Sequence, residues 1–232
     1  MAQLTLFTDY LSARPIRARG KLRQHSQPIF YDLWAQETDI EREMALFFLD
    51  IRNFTRFVER HRATDVVHVI RKVFSQFQHI IRVYHGRIIE TTGDGLYAAF
   101  GFNSSVTEGV NAAVEAGFAV LKALENLNKS SFEKNLQQRM EVGIGVHVGK
   151  VATGSLQLGS KSHFIVMGQA VNIASRLQAA TKELNNNFIV SSRVYNMLSS
   201  RQESEAVKIS LKGVSDPLEV HFVGRAYDTK VA

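Results

Sequence analysis

The chain has no cysteine among its 232 residues, which excludes a disulfide framework, a thiolate metal site and a cysteine nucleophile. It has no long hydrophobic run either. The longest, such as Ala45 to Leu49, are strand-length, whereas a membrane-spanning helix needs about 20 apolar residues. The opening residues, Met1-Ala2-Gln3-Leu4-Thr5-Leu6-Phe7-Thr8-Asp9, contain neither a basic n-region nor a sustained apolar stretch, so no secretory leader is expected and a cytoplasmic location is. Internal repeats and low-complexity tracts are missing. No basic stripe interleaved with aromatics runs along the chain, so neither a nucleic acid nor a membrane is expected as a partner.

What is there suits an ordinary globular protein. Apolar residues make up 45% and charged residues 22%, enough to bury a sizeable core. The formal net charge is +6, part of it from Arg14, Arg17, Arg19, Lys21 and Arg23, which face only Asp9. A basic balance of this kind fits a nucleic acid, an anionic membrane surface or a polyanionic substrate, and that cluster itself reads as a solvated basic arm. Pro15, Gly20 and Pro28 interrupt the first part of the chain, so residues 1–43 read as an extension and 44–232 as one domain.

From Met44 the patterning becomes regular. Met44 to Ile51 is a buried-strand run, and Asn53 is a helix N-cap before Phe54 to Glu59. Val66, Ile70, Val73, Phe77 and Ile80 recur at helical spacing. Arg87 to Glu90 and Leu96 to Phe100 flank a tight Thr92-Gly93-Asp94-Gly95 turn, a β-hairpin. A helix with Val110, Val114, Phe118 and Leu121 on one face follows. Then come an alternating strand from Glu141 to Val148, a strand from Phe164 to Met167 and a helix opened by Gly168. Strand-like pieces recur at Phe188 to Val190, Val207 to Leu211 and Leu218 to Val223. The order β-α-β-β-α-β plus a smaller α/β part predicts an α+β fold, its mostly antiparallel sheet flanked by helices.

Two residues stand out chemically. Asp50 ends a buried apolar strand, where an ionised carboxylate is costly without a compensating cation or hydrogen bonds. Asp94 sits between glycines in the hairpin turn. Aspartates on adjacent strand ends are what hard cations such as Mg²⁺ or Mn²⁺ require. A lone Asp in such a turn would be ordinary turn chemistry; the pair is not.

Five segments in order carry a resemblance. Phe48-Leu49-Asp50-Ile51-Arg52-Asn53-Phe54-Thr55 resembles the first metal motif of class III adenylyl and guanylyl cyclases, and Thr92-Gly93-Asp94 with Ala99-Phe100-Gly101 the second. Val142-Gly143-Ile144-Gly145-Val146-His147-Val148-Gly149 is similar to the family's central strand. Gly168-Gln169-Ala170-Val171-Asn172-Ile173-Ala174-Ser175-Arg176-Leu177 is similar to its most specific signature, and Leu211-Lys212-Gly213-Val214 to its closing strand motif. The resemblance covers roughly Met44 to Val223 and implies the class III cyclase fold, a ferredoxin-like βαββαβ core with a smaller α/β extension.

It also implies roles. Asp50 and Asp94, with the carbonyl of Ile51, would hold two divalent cations, Mg or Mn, one activating the ribose 3′-hydroxyl and one neutralising the triphosphate. Asn172 would orient the ribose, and Arg176 would meet charge developing on the α-phosphate. Lys150 and Lys212 would contact the terminal phosphates. His147 reads as a strand histidine. In the family the site lies between two subunits: Asp50, Asp94 and Lys150 would come from one, and Glu90, Ile165, Asn172, Arg176 and Lys212 from the other. A homodimer acting on a nucleoside triphosphate follows.

The base-reading positions depart from the adenylyl pattern. Glu90 stands where those enzymes place lysine, and Ile165 where they place Asp or Thr. Glutamate is the guanylyl choice, but it is paired there with a small residue rather than isoleucine. A pyrimidine substrate, UTP or CTP, is favoured, as in the pyrimidine cyclase group of bacterial antiphage systems, with GTP the alternative. A diguanylate cyclase would need a Gly-Gly-Asp/Glu-Glu-Phe turn, which is missing. The non-enzymatic alternative is an inactive nucleotide-binding module, which would typically have lost a metal aspartate or the Asn/Arg pair.

Overall fold

The computed structural model describes residues 40–136, 138–158, 161–201 and 203–228. Most of the extension read over residues 1–43 lies outside them. The elements are β1 (Ile40–Ile51), α1 (Phe54–Arg60), α2 (Ala63–Val83), β2 (Arg87–Thr92), β3 (Gly95–Phe100) and α3 (Val106–Leu127). A π-turn (Asn128–Phe132) and α4 (Glu133–Leu136) lead to β4 (Val142–Leu158), β5 (Lys161–Met167), α5 (Gln169–Glu183), β6 (Phe188–Ser191), α6 (Ser192–Asn196), β7 (Val207–Ile209) and β8 (Leu218–Phe222).

The strand order is β2-β3-β1-β4-β6-β8-β7, with β5 paired to β4 off this path. Every pairing is antiparallel except β4 with β6. The α+β architecture expected from the sequence, a βαββαβ core with a smaller second part, is the one observed.

Alternation along β1 sorts the interior into two sides. Ala45, Phe47, Leu49 and Ile51 face the main core, shared with Phe57 of α1, Val69, Val73 and Phe77 of α2, and Val110 and Val114 of α3. Met44 and Leu46 face the other side, with Tyr97, Val166, Ala170 and Ala174. Burying each large side chain in these clusters contributes about 1.5–3 kcal/mol. Helix α3 is started by a reciprocal cap in which Ser105 Oγ accepts from Glu108 N and the Glu108 carboxylate accepts from Ser105 N, worth about 1 kcal/mol. Helix α5 lies directly on β4. A Cβ on Gly145 would stand 2.2 Å from the backbone N of Gln178, so only glycine permits that approach.

Three details differ from the sequence reading. Strand β1 begins at Ile40 rather than Met44, because the charged Glu41, Arg42 and Glu43 continue the pairing with β4. Glu41 is exposed, Arg42 donates to the carbonyls of Gly101 and Phe102, and Glu43 accepts from Arg193 at 2.6 Å. Strand β4 runs on to Leu158, past Gly149 and Lys150 where the hydropathic alternation stops, and its far half pairs with β5. Asn53 does precede α1, but its side chain makes no capping bond; it takes a left-handed φ of 56°, which asparagine tolerates.

Candidate active site

The two aspartates meet where β1 ends. Asp50 stands opposite Gly95 on β3 and Gly143 on β4. Thr92 pairs with Gly95, so Gly93 and Asp94 form a two-residue turn. The carbonyl of Asp94 accepts from Ile51 N at 3.1 Å, which pins the hairpin tip to the end of β1. Both side chains and Ile51 line one open cavity of about 400 Å³, with Arg52 and Lys182 also in its wall.

The electrostatics are those of an anionic pair short of positive charge. Burial, then the neighbouring Asp94, push the Asp50 carboxyl up to about 6 despite Arg52, whose Nη2 donates to Asp50 Oδ1 at 2.9 Å. Burial raises Asp94 as well. A divalent cation would relieve both. Among the described residues no group of three or more His, Asp or Glu could cage a metal alone. Two carboxylates and a carbonyl fit instead a hard cation that keeps water and takes phosphate oxygens.

The remaining candidates are spread over α5 (Asn172, Arg176), β5 (Ile165), β2 (Glu90), β4 (Lys150) and the turn after β7 (Lys212). Asn172 is exposed and Arg176 half-buried, one turn apart on α5. The Arg176 guanidinium abuts Gly213, 3.2 Å from where a Cβ would stand there. Gly213, at φ 75°, completes a turn in which Val214 N donates to the Leu211 carbonyl at 3.0 Å. Lys212 is exposed in that turn and not in a strand. Asn172 and Arg176 precede Lys182 by ten and six residues, about 15 and 9 Å along the axis at 1.5 Å per residue. Neither lines the aspartate cavity.

Glu90 is exposed on β2 directly across from Tyr97. Burial, and then the Glu90 carboxylate, push the Tyr97 hydroxyl up. That hydroxyl points at the carbonyl of Val166, 3.4 Å away, next to the half-buried Ile165. Arg87 lies over the Phe164 ring at 3.9 Å, so β2, which carries Glu90, and β5, which carries Ile165, adjoin. Lys150 is exposed on β4 opposite Glu43. His147 is buried, 2.9 Å from Ser191 Oγ, and burial with Arg193 pushes it down to about 4.

The sequence reading passed over Arg52 and Lys182. Arg52 could have been found from strand alternation, which sets residues 50 and 52 on one side. Lys182 carries no local signal; only the path of α5 over β4 brings it to the cavity.

A family model described as Adenylate and Guanylate cyclase catalytic domain matches residues 36–224. Over 195 residues, 82% of this chain, the sequence is 27% identical to "Adenylate cyclase 1" of Rhizobium meliloti, and spans 29% of that protein's length. The guanylyl cyclase Cya2 superposes with a TM-score of 0.73 at 25% identity, over 82% of this chain and 95% of that one. The adenylyl cyclase CyaB from P. aeruginosa superposes with a TM-score of 0.73 at 23% identity, over 83% and 97%, a likeness of fold.

Proposed function

Because the chain belongs to the adenylate and guanylate cyclase catalytic-domain family, nucleotidyl cyclases of the lyase class, we propose that it converts a nucleoside triphosphate to a 3′,5′-cyclic monophosphate and inorganic diphosphate. The observation that carries this reading is the Asp50–Asp94 pair, two carboxylates crowded at strand ends in an open cavity with their pKa values raised. In the reaction the ribose 3′-oxygen bonds to the α-phosphorus, the bond from that phosphorus to the β-phosphate oxygen breaks, diphosphate leaves with the electron pair, and the hydroxyl proton passes to solvent. Two divalent cations, Mg or Mn, held by Asp50, Asp94 and the Ile51 carbonyl would supply activation of that oxygen and neutralisation of the polyphosphate.

The chain's own residues do the rest. The exposed amide of Asn172 orients the ribose. Arg176, its guanidinium against the Gly213 turn, supplies a fixed charge to the equatorial oxygens as they gain charge. Lys150 and Lys212, both exposed, act as point charges on the terminal phosphates. Asn172 and Arg176 do not line the aspartate cavity of their own chain. A second copy brings them to it, giving a homodimer with two equivalent sites.

The base is a pyrimidine, UTP or CTP. Glu90 offers only acceptors, which uracil N3–H or cytosine N4–H₂ satisfies and adenine N1 does not. Ile165 takes up room beside it and leaves a purine's second polar edge unpaired, at a cost of about 1–3 kcal/mol. GTP is the alternative, since guanine N1–H and N2–H₂ also suit Glu90. The test is product formation from ATP, GTP, CTP and UTP at equal concentration with Mn²⁺. A cyclic pyrimidine nucleotide as main product supports the reading, cyclic GMP overturns the role of Ile165, and cyclic AMP overturns Glu90 as well. No product from any of the four overturns the activity itself.

A further inference from the structure

A second cavity, about 420 Å³, adjoins the aspartate cavity and shares Arg52, Asn53 and Arg56 with it. Its charged and titratable lining is Arg52, Arg56, Arg60, His61, Arg139 and Glu141. The single carboxylate, Glu141, already accepts from Asp228 N at 2.8 Å. Arg139 is neutralised by Glu125, Glu133 and Asp228. Arg52 serves Asp50 through Nη2, while its Nε is buried with no hydrogen-bond partner among the described residues. Arg56 and Arg60 are exposed and make no ion pair among the described residues.

Arg52, Arg56 and Arg60 are spaced four residues apart, so the two helical ones share a face of α1 and repel each other. Arg60 alone suits the helix's last turn, where a cation is favourable; Arg56 has no such reason. Two exposed guanidinium groups without an ion pair among the described residues, Arg56 and Arg60, continue from the Asp50-paired Arg52 away from the aspartate cavity, a surface suited to a compact polyanion.

We propose that this cleft binds inorganic diphosphate, the leaving group of the cyclisation, and conducts it out of the site. The inference rests on the cyclase reading for the source of the ligand. The chemistry recognised is two linked phosphates, and the other source of such a group is the triphosphate of the incoming nucleotide. Guanidinium forks from Arg56 and Arg60 would take the outer phosphate while Arg52 bridges to the aspartate cavity.

The test is calorimetric titration of the full chain with sodium diphosphate, and separately with UTP, in EDTA so that no metal contributes. Wild type should bind diphosphate, and Arg56→Gln/Arg60→Gln should bind it at least tenfold more weakly, with UTP affinity reduced much less. The exposed pair Arg71→Gln/Arg82→Gln on α2 removes the same charge and should leave diphosphate affinity unchanged. With turnover measured, the inhibition constant for added diphosphate should rise by the same factor in the cleft variant. No binding by wild type, equal binding by the cleft variant, or an equal loss in the α2 control overturns the proposal. An equal loss of UTP affinity overturns it too, assigning the arginines to the substrate's triphosphate. A failure of the cyclase reading shows separately, as no cyclic nucleotide from any triphosphate. Circular dichroism of the cleft variant should match wild type; Arg60→Lys, which keeps the charge but not the fork, should lose several-fold affinity with no change in fold.

Discussion

The guanidinium of Arg176 rests against the backbone of Gly213, whose φ of 75° turns the chain beside it. A methyl group there would stand 3.2 Å from Arg176 Nη2 and would also strain the backbone. Gly213→Ala should therefore lose about 1 kcal/mol of stability. If Arg176 meets charge that develops only in the transition state, kcat should fall roughly tenfold or more while KM changes little. Steady-state kinetics on the variant check this, and an unchanged kcat would detach Arg176 from the chemistry.

Asp50→Ala and Asp94→Ala should each reduce turnover by on the order of 10³-fold or more, with the far-ultraviolet circular dichroism unchanged. Either variant running at the wild-type rate in Mn²⁺ would remove the metal assignment.

Mixing Asp50→Ala with Asn172→Ala should restore activity. Random exchange makes half the dimers mixed, each with one intact site, so recovery approaches about a quarter of wild type. Demonstrated subunit exchange without recovery would favour a site closed within one chain.

One half-buried and one buried group, Asp50 and His147, make the metal-free domain respond to pH in opposite senses. The folded pKa of Asp50, about 6, lies above its usual 3.8, so its contribution is present at low pH and is lost as pH rises from about 4 to 6. Asp50→Asn should thus stabilise the domain at pH 7.5, by on the order of 1 kcal/mol after discounting for partial exposure, and not at pH 3.5. His147 sits at about 4, below its usual 6.5, so its contribution is present above 6.5 and is lost as pH falls toward 4. His147→Gln should remove up to on the order of 3 kcal/mol of acid destabilisation. Denaturant midpoints at pH 7.5, 5.5 and 3.5 read both; an acid slope unaltered by His147→Gln would mean the imidazole is protonated in the folded state.

Much of the framework was legible because hydropathy carries it. The β1 run, the α2 stripe and the hairpin around Asp94 announce themselves through periodicity and turn residues, and with them the carboxylate pair. What stayed hidden depends on chain segments that meet only after folding. Arg42 and Glu43 are strand residues whose charges are met by the carbonyls after β3 and by Arg193, and no local pattern shows that. Lys182 reaches the cavity because the glycine at 145 lets α5 settle onto β4. Lys212 reads as a strand end, yet the turn closed by Val214 N and the Leu211 carbonyl puts it in a loop. Arg56 and Arg60 look like ordinary solvated helix charges until the cavity beside them is seen.

The alternation of β1 has a meaning for how the molecule is made. Asp50 lies on one side of the strand and Leu49 and Ile51 on the other, so a slip of one residue against β3 or β4 would drive a carboxylate into the main core and eject two large aliphatic groups. Such a misassembled chain has no stable hiding place. The pairing that seals the interior is the same pairing that sets the two aspartates side by side, so whatever fraction of molecules refolds with a closed core should, by that fact, have its two carboxylates assembled at the strand ends as well.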